Sequence, residues 1–180
     1  MNPMPFRASA TVRATPRSAG PSLAVEVTPL PVRLVMAGGD TAHALVFLHT
    51  SGDRRPGPQS LGERLCDANT SFLPCVVDRG VELINLEHVA CVQAPRDLPD
   101  VEELDELQSF RAAVDLDLVH GERLSGELRY RLPPESCRIS DLFNSDAERF
   151  VLVTTDRRAV YVNRRAVLRV RVRAEDSPCR

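Results

Sequence analysis

FVLVTTDRRAVYVNRRAVLRVRV, residues 150–172, and FLPCVVDRGVELINLEHVACVQA, residues 72–94, are the two stretches on which the fold turns. They lie inside a longer ungapped superposition of residues 60–92 on 138–170. Six positions there are identical: Phe72/Phe150, Asp78/Asp156, Arg79/Arg157, Asn85/Asn163, Val89/Val167 and Val92/Val170. The apolar pattern extends further, through Leu61/Ile139, Leu65/Phe143, Leu73/Val151, Cys75/Val153, Leu83/Tyr161, Ile84/Val162 and Ala90/Leu168. Alternation at period two inside each stretch predicts strands, and recurrence of the same pattern predicts one supersecondary unit used twice. Asn85 and Asn163 each close a strand before a tight turn. They are expected as structural turn residues, because Asn tolerates the left-handed conformation.

The flanks read the same way. PVRLVM places Val32, Leu34 and Met36 on one face, Gly38-Gly39-Asp40 makes a turn, and HALVFLHT returns as a second strand. AVDLDLV alternates through Val114, Leu116 and Leu118, His120-Gly121-Glu122-Arg123 turns, and LSGELRYRL alternates through Leu128 and Tyr130. Gly126 is expected to permit a bend or bulge. The alternating strands before each repeat end near His49 and His120, which would put those two histidines in matching turns. Short helices are expected at LGERLC and ISDLFN.

Each unit has about five strands, too few for a sandwich of its own. A small barrel removes exposed edges by closing. The expected fold is therefore mainly β: two tandem small SH3-like or Sm-like barrels related by internal duplication. A basic tail (1–22) would precede a first barrel (23–95), an acidic linker (96–111), a second barrel (112–174) and a short tail (175–180). The linker holds six acids between Asp97 and Glu106. Val101, Leu104, Leu107 and Phe110 recur along it at three-residue spacing, which predicts a short amphipathic helix.

Arg138-Ile139-Ser140-Asp141-Leu142-Phe143-Asn144, then Phe150, then Tyr161-Val162-Asn163, resembles a small bacterial domain family of unassigned function. Its pattern is a Gly-containing strand, a Ser-Asp-(Phe/Tyr)-Leu-Asn turn, a Phe with a following apolar strand, and an apolar-Asn-(Lys/Arg) turn. The resemblance covers roughly residues 113–172. In the first half Leu61-Gly62-Glu63-Arg64-Leu65-Cys66 replaces the Ser-Asp motif. What the resemblance implies is a fold and no chemistry.

Composition narrows the function. The 180 residues carry 43% hydrophobic and 27% charged residues at net charge −2, and no run reaches the roughly 18 apolar residues of a membrane span. No membrane association is expected. The 23 basic residues are all Arg, which excludes a Lys nucleophile, a Schiff base and a P-loop lysine. Two Tyr, six Phe and no Trp make a large stacking platform for bases improbable. Cys66, Cys75, Cys91, Cys137 and Cys179 are odd in number and lack CxxC spacing. They argue for free thiols in a reducing, cytoplasmic setting. Residues 1–22 hold three Arg and no acid, like a transit peptide, but their prolines interrupt any amphipathic helix and favour a tail.

No residue set spells out a reaction. Cys75 with His88 is conceivable as a nucleophile and base, yet Cys75 sits in an apolar strand. Ser51 and Ser140 lack a nucleophile elbow. His43, His49, His88 and His120 form no ligand spacing. Gly38-Gly39 is not followed by a Lys-Ser/Thr helix start. Asp141 with Glu135, and Asp146 with Glu148, read as solvated loop carboxylates or helix caps. No catalytic residue, cofactor or metal is expected.

The strongest charge feature is arginine. Between Arg149 and Arg173 there are eight Arg and one acid, Asp156. Arg157, Arg158, Arg164, Arg165, Arg169, Arg171 and Arg173 form the candidate binding surface, the last three alternating with Leu168, Val170 and Val172. Such a stripe suits phosphate backbones, protects a strand edge by charge, or receives the acidic linker. Arg164-Arg165 with Arg169 has the RRxxxR spacing of cyclic-dinucleotide-binding PilZ domains. That element opens its barrel, here it lies at the end, and no Asp/Asn-x-Ser-x-x-Gly follows. The leading expectation is a non-catalytic binding or scaffold protein with a protein partner. Nucleic-acid (RNA-like) binding through the Arg stripe is the alternative, and an enzyme with a site between the halves is the third.

Overall fold

The computed structural model describes residues 26–50, 57–78, 80–99, 101–102, 109–133, 138–145 and 148–173. It is mainly β, an open antiparallel sheet of ten strands. The first half supplies β1 (Val27–Met36), β2 (Thr41–His49), helix α1 (Leu61–Cys66), β3 (Phe72–Val77), β4 (Gly80–Asn85), a 3-10 turn (Leu86–His88) and β5 (Val89–Pro95). The second half supplies β6 (Phe110–Leu118), β7 (Arg123–Tyr130), helix α2 (Ile139–Asn144), β8 (Phe150–Thr154), β9 (Arg158–Asn163), a 3-10 turn (Arg164–Ala166) and β10 (Val167–Val172). Strand order across the sheet is β10-β6-β7-β8-β9-β5-β1-β2-β3-β4.

The halves agree in detail. In each, four strands form a meander and the fifth returns to pair with the first. Phe72 faces Asn85 and Phe150 faces Asn163. An extra residue bulges β5 at Ala90, where Val35 and Met36 pair with Cys91 and Val89, and β10 at the equivalent Leu168, where Val167 and Arg169 pair with Leu118 and Asp117. The hairpins close alike. Met36 N–H donates to Asp40 O and Leu118 N–H to Glu122 O, with Gly39 and Gly121 both at positive φ (96° and 91°), a conformation open to glycine. Ser60 caps α1 by accepting from Glu63 N–H, while Glu63 accepts from Ser60 N–H, a capping box.

Three expectations are corrected. Gly126 carries no bulge, since β6 and β7 pair without a register shift. A Cβ there would stand 2.6 Å from the Thr154 carbonyl oxygen and 2.7 Å from Val153 Cγ1, so the glycine lets β8 approach. Asn85 and Asn163 are extended, at φ −70° and −67°. They cap the 3-10 turns through Oδ1, accepting from the N–H of Glu87 and Arg165. His49 ends β2, whereas His120 lies in the β6–β7 turn, beside Gly39 of the β1–β2 turn. The two histidines do not match; β1 corresponds to β6. The acidic segment follows its expectation in part: Pro99, Val101 and Glu102 are helical, while Phe110 is not on that helix. Leu98 and Val101 are buried, Phe110 opens β6 with its ring 5.5 Å from that of Tyr130, and Leu104 and Leu107 lie outside the described residues.

Two apolar cores flank the sheet. One gathers Leu34, Val46, Leu61, Leu65, Leu73, Leu86 and Val92 together with Phe150, Leu152, Ala159 and Tyr161 of the second half. The other gathers Val114, Leu116, Leu128, Val153 and Val162 together with Val35 and Cys91 of the first. Where β5 meets β9, each half therefore completes the other's core.

Candidate functional site

The seam between the halves is built on the β5–β9 ladder, which sets Cys91 opposite Val162, Val92 opposite Tyr161, Gln93 opposite Val160 and Ala94 opposite Ala159. Asn163 is fully buried there. Its Nδ2 donates to the carbonyls of Leu86 (3.1 Å) and Val89 (3.0 Å) of the first half. An unpaired buried amide is costly, so these bonds hold the seam in register. Around it, Arg165 pairs with Glu87 at 2.9 Å, Arg158 donates to Gln93, Arg149 donates to Thr70 O, and the Cys66 thiol reaches Phe150 O. Burial pushes the Cys66 and Cys91 thiols up to about 11, and burial also raises Cys75. All three stay protonated at neutral pH and are poor nucleophiles.

A groove of about 570 Å³ opens beside the seam, with Phe143 and Asn144 of α2, Cys66 of α1, and Arg149, Arg164 and Arg165 on its wall. Arg164 is already engaged: its Nη1 donates to the carbonyls of Leu142 (2.7 Å) and Ser145 (2.6 Å) at the end of α2. A second groove of about 330 Å³ carries Arg157 and Arg158 with Arg33 and His43. Arg169, Arg171 and Arg173 lie on and just beyond β10, an outermost strand of the sheet. There Arg171 grips Asp117 with both Nη atoms (3.2 and 2.9 Å), and Arg123 holds the same carboxylate at 2.8 Å. Arg123 first and Arg171 next keep Asp117 below its ordinary carboxylate range. The seven arginines thus occupy two grooves and one strand.

The other residues weighed for chemistry are dispersed. Cys75 is buried in the first core, while His88 is exposed on its 3-10 turn. Asp141 accepts from Arg138 N–H at the start of α2, and Ser140 is exposed. Ser51, Glu135 and Asp146 lie outside the described residues. Among the described residues, no three of His, Cys, Asp and Glu gather as metal ligands, and no helix is long and apolar enough to cross a membrane.

One surface was not foreseen. The outer face of β3–β4 exposes Phe72 (52%), Val81 (76%) and Leu83 (65%), whereas their counterparts in the second half, Phe150 (2%), Ala159 (0%) and Tyr161 (3%), are buried in the seam. The repeat held the signal. The same apolar positions occur twice, but a linear chain can cover only one set with its own other half. No family model matches the chain, and no curated protein or solved structure matches it.

Proposed function

We propose that this chain is a non-catalytic binding or scaffold protein composed of two copies of one five-stranded, SH3-like or Sm-like barrel unit, acting through protein–protein contacts. Shared strand order, shared bulge position and matching hairpin hydrogen bonds support the duplication. The observation that carries the binding reading is the exposed Phe72, Val81 and Leu83 face on β3–β4, beside a strand with a free edge. An unpaired antiparallel edge offers main-chain hydrogen bonds to an incoming strand, and an apolar face beside it supplies burial.

A photo-reactive aromatic residue placed at Leu83 of the full chain tests this in cells. Protein adducts at Leu83, and none from a control site at exposed Asp40, are the expected result. Absence of any protein adduct at Leu83 overturns the reading.

Polyanion binding is a second reading, favoured by the convergence of Arg149, Arg164 and Arg165 on one groove. It predicts retardation of RNA at low salt that weakens steeply as salt rises. Engagement of Arg164 by backbone carbonyls, of Arg165 by Glu87 and of Arg171 by Asp117 places it behind the first.

A further inference from the structure

We infer that the partner of the β3–β4 face is a second copy of this chain. Strand β4 of one molecule adds antiparallel to β10 of the next, repeating between molecules the seam that each already carries inside. This rests on the binding reading above and names its occupant.

The correspondence between the halves makes the proposal specific. In the seam, β9 pairs with β5. The counterpart of β9 is β4 and the counterpart of β5 is β10, and these are the two outermost strands of the sheet. Carrying the β5–β9 register over puts Val170 opposite Leu83, Arg171 opposite Glu82 and Val172 opposite Val81. Two apolar pairs therefore share one face, and on the other the Glu82 carboxylate meets the Arg171 guanidinium that already holds Asp117. Cross-strand pairs of these kinds stabilise antiparallel sheets.

The side chains at the two ends fit that register. Leu168 on β10 is 69% exposed, whereas its counterpart Ala90 is fully buried in the seam. Phe72 waits where Phe150 packs beside α1; in the assembled pair α2 of the neighbour, with Phe143 and Asn144, takes the place of α1. Asn85 repeats the backbone of Asn163, with its Oδ1 already bound to Glu87 N–H. Its Nδ2 is directed to the neighbour's carbonyls of Arg164 and Val167, as Asn163 Nδ2 is to those of Leu86 and Val89. Glu87 and Arg165, ion-paired inside the molecule, face each other again between molecules.

A contact between two different surfaces is heterologous, so it propagates into a ring or a filament instead of stopping at a two-fold dimer. That gives a test no symmetric dimer would pass. The full chain is run by size-exclusion chromatography with light scattering over a dilution series, alongside Leu83→Lys on β4 and Val172→Lys on β10. Wild type is expected above the 19.9 kDa of one chain, with mass rising with concentration, and each variant at the single-chain mass. Mixing the two variants leaves one intact β4 and one intact β10, and should yield a discrete species of twice the chain mass. Far-UV circular dichroism checks that both variants fold; if either does not, Leu83→Thr and Val172→Thr are read in the same way. A wild type that stays at 19.9 kDa, a variant that keeps the wild-type profile, or a mixture that stays monomeric overturns the inference. A monomeric wild type with protein adducts at Leu83 in cells would overturn self-association alone; no adducts would overturn the binding reading as well.

Discussion

Asn163 and Asn85 are the same residue in the same local geometry, and their energetics should differ because of what lies across the strand. Removing the Asn163 side chain strips donors from two carbonyls in the seam and an acceptor from Arg165 N–H. Asn163→Ala is expected to cost about 2–3 kcal/mol. Asn85→Ala in dilute single chains removes a turn cap, at about 1 kcal/mol. Urea midpoints of the two variants measure the contrast. At Gly126 the added methyl of Ala would collide with Thr154 O, so Gly126→Ala should destabilise by about 1–3 kcal/mol through overpacking, read by the same assay. The thiols set a pH dependence. The folded state holds Cys66 and Cys91 up to about 11 against an ordinary 9.0, so the unfolded chain ionises first. Their contribution is intact below pH 9 and falls away as pH rises toward 11, by at most about 2–3 kcal/mol each. Cys91→Ala should flatten the decline of urea midpoints across that window.

Elements were legible wherever a local rule chose them. Alternation in FVLVTT and AVYVN marks strands that exist, and Gly39 and Gly121 occupy positive-φ turn positions. The short helices expected at LGERLC and ISDLFN also stand there. What sequence could not show is set by distant neighbours. Phe72 and Phe150 have the same pattern and the same register, yet one is exposed and the other buried, because only β8–β9 has the other half beside it. The seven arginines looked like one stripe because sequence spacing says nothing of turns that point to different grooves. Sequence spacing alone pairs His120 with His49, because the β1–β6 correspondence runs at a different offset from that of the strands downstream. Edge strand β10 is tied to β6 by the Asp117 carboxylate between Arg123 and Arg171. Arginine holds that carboxyl below its usual range, so its contribution is present above the ordinary carboxylate pKa and is lost as pH falls through the lowered one. Asp117→Asn should speed amide hydrogen exchange over Arg169–Val172 while leaving β3–β4 exchange unchanged.

At the scale of the molecule, β5 and β9 each pair with a strand from both halves, β5 with β1 and β9, and β9 with β8 and β5. Each core also contains residues from across the seam. Continuity of the peptide through the acidic segment is therefore not what holds the halves together. Two polypeptides made separately, ending and beginning within residues 103–108, should find each other and reconstitute the whole. Neither alone should give the cooperative melt that the mixture restores, because each lacks apolar groups that seal its own interior. A split chain of this kind would turn the seam into a reporter: whatever loosens the ladder at Asn163 would be read directly as dissociation of the fragments.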